Sequence, residues 1–118
     1  MIIKIDPVSK PRQTVSDKWN KRKCVVAYRS FADELRYKCN LAKYEIGESV
    51  GVTFIIPMPK SWTKKRKSEM EGKPHQQTPD IDNLFKAFSD ALSKGDSFIY
   101  YITAGKFWGK EGAIIINE

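Results

Sequence analysis

Between Pro79 and Leu92 the apolar residues Ile81, Leu84, Phe85, Phe88, Ala91 and Leu92 recur at short helical steps. At about 100° per residue they fall on one stripe of a helix, with Asp82, Lys86 and Asp90 on the polar side. A helix with a single apolar stripe must bury it against another layer. The same spacing occurs earlier: Tyr28, Phe31, Ala32, Leu35, Cys39 and Ala42 predict a helix over residues 24–42. Between the two helices lies a β-branched and aromatic run, Val50 to Ile56, stopped by Pro57 and Pro59. That run predicts a central strand covered on at least one face.

The remaining elements follow from this frame. Ile2, Ile3 and Ile5 predict a short first strand, closed by Asp6 and Pro7. Residues 97–108 predict a strand in which Phe98, Tyr100, Ile102 and Ala104 alternate with Ile99, Tyr101 and Thr103. Residues 109–112 form a turn and 113–116 a last strand, and the short connection predicts that these two strands pair as a hairpin. A short helix is compatible with residues 61–71. The result is an α+β fold, a single two-layer domain over residues 1–118 with a mixed β-sheet and two main helices on one face.

Lys and Arg outnumber Asp and Glu by 21 to 14, and the net charge of +7 points to a polyanionic partner. No apolar run approaches the ~20 residues of a membrane span, and the N-terminus lacks a signal-peptide core. A soluble, cytoplasmic protein with no membrane partner is expected. Cys24, Cys39 and the single His75 have no zinc-site spacing, so the cysteines read as buried free thiols. Trp19 lies among the charges of residues 17–23. It suits an anchor packing this loop onto the body better than a base-stacking platform.

Residues 58–79 have a different character. Lys60, Lys64, Lys65, Arg66, Lys67 and Lys73 cluster around Trp62, with Glu69 and Glu71 as partial offsets. Taken alone, such a run is a solvated charged loop. Directly before an acidic motif it reads as a DNA-contacting segment, its cations meeting backbone phosphates.

The acidic motif itself admits two readings. Asp at a helix start is a common cap, and Asp82–Lys86 and Lys86–Asp90 could be simple ion pairs worth about 0.3–0.5 kcal/mol each. The other reading is a hard-cation site. Helical residues two apart point well away from each other, so Asp80 and Asp82 converge only if Asp80 lies at or before the cap. Pro79, where a loop enters the helix, fits that placement. Carboxylates suit Mg²⁺ or Mn²⁺, and with a lysine and a basic approach they make the parts of a phosphodiester-hydrolysing site.

Pro79-Asp80-Ile81-Asp82-Asn83-Leu84-x-Lys86-Ala87-x-x-Asp90-Ala91-Leu92 closely resembles the signature of the RusA family of Holliday junction resolvases of phages and prophages. Ser61-Trp62-Thr63-Lys64-Lys65-Arg66, Lys73-Pro74-His75 and Pro11-Arg12-x-x-x-x-Asp17-Lys18-Trp19 are similar to its phage branch. The resemblance runs over most of the chain in matching order. It implies a RusA-like fold and a homodimeric, Mg²⁺-dependent endonuclease, with Mn²⁺ as substitute. Its substrate would be a four-way DNA junction, nicked on two opposed strands. Carried over by position, it makes Asp80 and Asp82 metal ligands and Lys86 the catalytic lysine. The family's link after this helix is longer and ends in two adjacent acids, the second a ligand. Here it is Ser93-Lys94-Gly95-Asp96-Ser97-Phe98, so Asp96 is assigned as third ligand and Gly95 stands where the first acid would be. Asp90 reads as a partner of Lys86 or as structural. The rival class is a non-catalytic branched-DNA-binding protein, with the aspartates as caps and the shortened link a mark of lost activity.

Overall fold

The computed structural model describes residues 1–11, 23–93 and 97–117. Its elements are β1 (Ile2–Ile3), α1 (Lys23–Leu41), β2 (Ser49–Pro57), α2 (Lys64–Met70), α3 (Ile81–Leu92), β3 (Tyr101–Gly109) and β4 (Ala113–Asn117). The strands form one mixed sheet in the order β1-β4-β2-β3. β2 is parallel to β3 and antiparallel to β4, and β1 is antiparallel to β4. This is the α+β fold expected, with β2 in the interior of the sheet. Parallel neighbours need a crossover, and residues 58–100, carrying α2 and α3, supply it.

Alternate residues of β2 are buried from Val50 through Val52 to Phe54, and the next, Ile56, is half-buried. They pack with Ile114 and Ile116 of β4, Phe31 and Leu35 of α1, and Leu84 and Phe88 of α3. Phe54 and Phe88 meet edge-on, ring centroids 6.3 Å apart. The buried face of α1 is Val25, Tyr28, Phe31, Ala32, Leu35 and Cys39. Ala42 does not join it, because the helix ends at Leu41 and Lys43 turns the chain with a φ of 57°. Cys24 is also a correction. It is an exposed free thiol, since the neighbouring Val25 takes the inward position; Cys39 is buried, and burial pushes its thiol pKa up.

On α3 the fully buried residues are Leu84, Ala87, Phe88, Ser89 and Ala91, while Ile81, Phe85 and Leu92 are half-buried. The apolar face therefore sits slightly to the Ala87 side of the expected stripe. The Ser89 hydroxyl donates to the Lys86 carbonyl at 3.3 Å, which satisfies it without leaving the helix. Arg36 of α1 donates to the Ala91 carbonyl at 2.7 Å, a cation at the C-terminal end of α3. The N-terminal loop is strapped along the same helix: Lys10 ion-pairs with Asp90, and its N–H donates to the Asn83 carbonyl at 3.3 Å.

The expected hairpin does not form. β3 and β4 are joined by a tight turn, but β2 lies between them, pairing Pro57 with Gly109 on one side and Ile55 with Ala113 on the other. The connection thus steps across the end of β2, a span of about two strand spacings, roughly 10 Å. The two flanking glycines serve that close passage. A Cβ on Gly109 would lie 2.3 Å from Ile55 Cγ2, and one on Gly112 would lie 2.1 Å from Asp6 Oδ1 and 2.7 Å from Asp6 Cα. β3 also starts later than expected, at Tyr101, leaving Phe98 and Tyr100 exposed ahead of it.

The outer edge of β3 is partly covered. Gly72 N–H donates to the Trp108 carbonyl, Trp108 N–H to the Lys73 carbonyl and His75 N–H to the Lys106 carbonyl, at 2.9, 3.0 and 3.1 Å. Trp108 is flanked by Trp62 at 4.8 Å and His75 at 4.3 Å between centroids. The Arg66 guanidinium lies 4.1 Å over the Trp62 ring. Trp62 is therefore an anchor that holds α2 to the sheet. His75 is buried, and among the described residues its Nδ1 has no hydrogen-bond partner.

Gly112→Ala should lower stability by about 1–3 kcal/mol, because the clash includes backbone atoms that cannot swing aside. Gly47→Ala, with nothing within 4 Å of the new Cβ, is the neutral control in the same urea titration. His75 gives a second test. Burial, and then the charge of Lys106, hold its pKa below the ordinary imidazole value. The unfolded chain therefore takes up the proton first as pH falls. Stability is full above the unfolded value of about 6.5 and declines below it toward the folded pKa. His75→Phe should remove that part of the decline between about pH 7 and pH 5 while changing stability at pH 7 by less than about 1.5 kcal/mol.

Candidate functional site

α3 begins directly after Pro79, whose peptide bond with Thr78 is cis. Asp80 is the N-cap residue with extended backbone, φ −70° and ψ 149°, and Asp82 lies in the first turn. The Asp80 carbonyl accepts the first helical bond, from Leu84 N–H at 3.1 Å. Its carboxylate makes no capping hydrogen bond. An N-cap aspartate ordinarily accepts a backbone N–H from the first turn. The chain does this elsewhere: Thr63 caps α2 by accepting Arg66 N–H at 3.2 Å. Asp80 therefore stands outside the helical repeat without doing the work of a cap.

Asp80 and Asp82 line one open cleft together with His75, Gln77 and Lys106. Asp80 also borders a neighbouring cleft walled by Pro7, Val8 and Ser9 of the N-terminal loop. Lys86 lies one turn beyond Asp82, exposed, and is not one of the residues lining the first cleft. Asp90 is engaged by Lys10, which gives it a structural role in holding the N-terminal loop. Asp96, Arg12 and Trp19 lie outside the described residues. Among the described residues no three His, Cys, Asp or Glu side chains gather into a metal-binding group. A hard cation does not need three. Mg²⁺ is commonly held by one or two carboxylates, with water and substrate phosphates completing its shell. Two exposed carboxylates, one without its usual capping bond, fit that donor set.

The basic residues are arranged around α2. Lys64, Lys65 and Arg66 are exposed on it, Lys67 is half-buried, and Lys60 and Lys73 are exposed before and after. Lys64 and Lys67 border a depression with Lys110, which the sequence reading did not single out. Lys110 also approaches Glu71 at 4.0 Å. α2 and the acidic pair are tied to the same strand. Trp108 carries α2 through Trp62, and Lys106, two residues back on the same face of β3, reaches the loop before Asp80. Their anchor points are thus about 7 Å apart along one strand.

Lys106 is the site residue that sequence reasoning missed. It pairs across the sheet with Phe54, a core residue, so it faces the helix side. Its Nζ donates to the carbonyls of Gln77 at 2.6 Å and Pro79 at 2.7 Å. The available signal was a lone cation in an otherwise uncharged strand, on the face where a charge needs polar partners.

The family model described as Endodeoxyribonuclease RusA matches residues 4–117. The search of curated proteins finds no match. The match takes in all three helices, the cleft with Asp80 and Asp82, and the basic helix docked beside it. With nearly the whole chain inside that match, the protein belongs to the RusA family of endodeoxyribonucleases, enzymes that resolve Holliday junctions.

Proposed function

We propose that this protein is a Mg²⁺-dependent endonuclease, accepting Mn²⁺ as substitute, that resolves four-way DNA junctions as a homodimer. The family's nucleases are generally dependent on a divalent metal. The observation that carries the assignment to these residues is Asp80. It sits at the N-cap with its carboxylate not used for capping, beside Asp82 in one cleft. In this reading Asp80 and Asp82 hold the ion, with Asp96 as the third ligand. A bound ion supplies Lewis-acid polarisation of the scissile phosphate and an activated water. Lys86, one turn into the helix, neutralises charge developing on the phosphate oxygens. Lys60, Lys64, Lys65, Arg66, Lys67 and Lys73 hold the DNA backbone and set its approach to the cleft.

Two symmetric cuts call for two symmetric sites, and the free edge of β3 offers the contact. The outward backbone groups of Lys106 and Trp108 are taken by residues 72–75. By strand alternation those of Ile102 and Ala104 point the same way, and among the described residues nothing covers them. Phe98, Tyr100, Tyr101 and Ile102 are 49%, 75%, 55% and 48% exposed there. Residues 97–105 carry no charge at all. Open edges in monomers are usually guarded by Lys, Pro or a bulge. Antiparallel pairing of two such edges closes on itself, with one acidic cleft on each side of the two-fold axis.

On a synthetic four-way junction, the wild type should nick opposed strands only when Mg²⁺ or Mn²⁺ is added. Asp82→Asn should lose that activity by at least about 100-fold while still binding the junction, since a ligand present at the reacting centre is removed. Binding without cutting under every divalent ion would instead make this chain a non-catalytic junction binder. Equal cutting of linear duplex would leave a nuclease without junction selectivity. For the dimer, Ile102→Lys should move the protein toward monomer in sedimentation velocity and turn paired nicks into single ones. An unchanged dimer would remove the β3 edge from consideration.

A further inference from the structure

Lys106 has a chemistry that the assignments above leave unused. It is the one cation of β3, half-buried, and it lines the same cleft as Asp80 and Asp82. A lysine so placed would ordinarily be read as a phosphate contact. Its hydrogen bonds say otherwise. Two of the three ammonium donors are directed at main-chain carbonyls, those of Gln77 and Pro79. The same residue's own carbonyl accepts His75 N–H at 3.1 Å. Lys106 thus holds the segment 75–79 at three points, and the last of them is the peptide that leads directly into Asp80.

We propose that Lys106 is a positioning residue for the acidic pair: its ammonium fixes the Gln77 and Pro79 carbonyls so that Asp80 enters α3 with its carboxylate in the cleft it shares with Asp82. This rests on the reading of Asp80 and Asp82 as metal ligands. The physical reason is placement. The Asp80 backbone, φ −70° and ψ 149°, is close to that of the capping Thr63, φ −67° and ψ 160°, so its carboxylate can turn either onto the helix or out into the cleft. Charge-assisted bonds from β3 fix where the residue stands, which sets what the carboxylate meets when it turns outward. The strand that carries the anchor is paired along its whole length with β2. Lys106 acts through Asp80 and needs no contact with DNA.

The test compares Lys106→Met and Lys106→Arg with the wild type. Mn²⁺ binding is measured calorimetrically without DNA, and junction cleavage is measured as a function of metal and of junction concentration. Lys106→Met should raise the Mn²⁺ concentration for half-saturation, and for half-maximal cleavage, by roughly 10- to 100-fold, the usual effect of losing a group that orients a ligand. Excess metal should restore most of kcat, and the KM for the junction should stay within about twofold, because no phosphate contact is lost. Lys106→Arg keeps the charge and donors, so it should recover at least part of the metal affinity; Lys106→Gln, which loses the charge, carries the test if the Met variant does not fold. An unchanged metal requirement in Lys106→Met, or in Lys106→Gln should the Met variant not fold, overturns the proposal. So does a raised KM at an unchanged metal requirement, which would make Lys106 a phosphate contact. If the wild type binds no Mn²⁺, or if Asp80→Asn and Asp82→Asn leave its binding intact, the acidic-pair reading falls first and this proposal with it.

Discussion

The architecture follows from the need of β2 for a strand on each side. Its residues are too apolar to leave an edge in water, and each backbone N–H and C=O it buries must be paired. β4 satisfies one edge and β3 the other. That single requirement separates two strands that are adjacent in sequence. It forces the β3–β4 connection over the end of β2, where a Cβ at Gly109 would meet Ile55, while one at Gly112 would meet Asp6 of the N-terminal loop. It also makes β2 and β3 parallel, so that a long crossover must join them. The basic helix, the loop and the acidic helix all lie in that crossover. The candidate site is thus made from the connection that the sheet order demands.

Because β3 closes the crossover, it also organises the site. Trp108 receives α2 through Trp62, and Lys106 receives the loop that enters α3. Positive and negative elements that would attract and collapse if mobile are instead held by separate anchors on one rigid strand. The acidic pair is left facing a cleft, and the cations of α2 remain largely exposed. This is the charge arrangement that the proposed metal-assisted hydrolysis calls for: carboxylates for the ion, and cations beside them for the backbone.

Asp80 shows how little separates a cap from a candidate ligand. Both uses place an aspartate at the first position of a helix, and composition cannot tell them apart. The distinction lies in the direction of one side chain. Thr63 and Asp80 occupy the same position on two helices of this chain, yet only Thr63 caps. Both approach segments are held to β3, that of Thr63 through Trp62 and that of Asp80 through Lys106, so the two differ in the side chain and not in how the backbone arrives.

Much was legible in the sequence because it depends on local periodicity. The apolar spacing of α1 and α3, the β run of β2 and the clustering of cations before the acidic motif are all properties of neighbours along the chain. The displacement of Asp80 from the helical repeat followed from the geometry of residues two apart. What the sequence could not determine was partner choice. A tight turn between two strands suggests a hairpin, and only the competing demand of β2 for both neighbours splits it. Cys24 lost its expected burial to Val25 by one helical step, a register that packing sets. Asp90 also receives Lys10 from the N-terminal loop, a partner 80 residues away that no local pattern points to. Lys106 looked like an unremarkable strand lysine, because its partners are carbonyls far away in the chain. Local rules fixed which segments are helices and strands and which residue types could bind metal and phosphate. The tertiary structure decided which of them meet, because strand order and long-range hydrogen bonds depend on the whole set of competing partners.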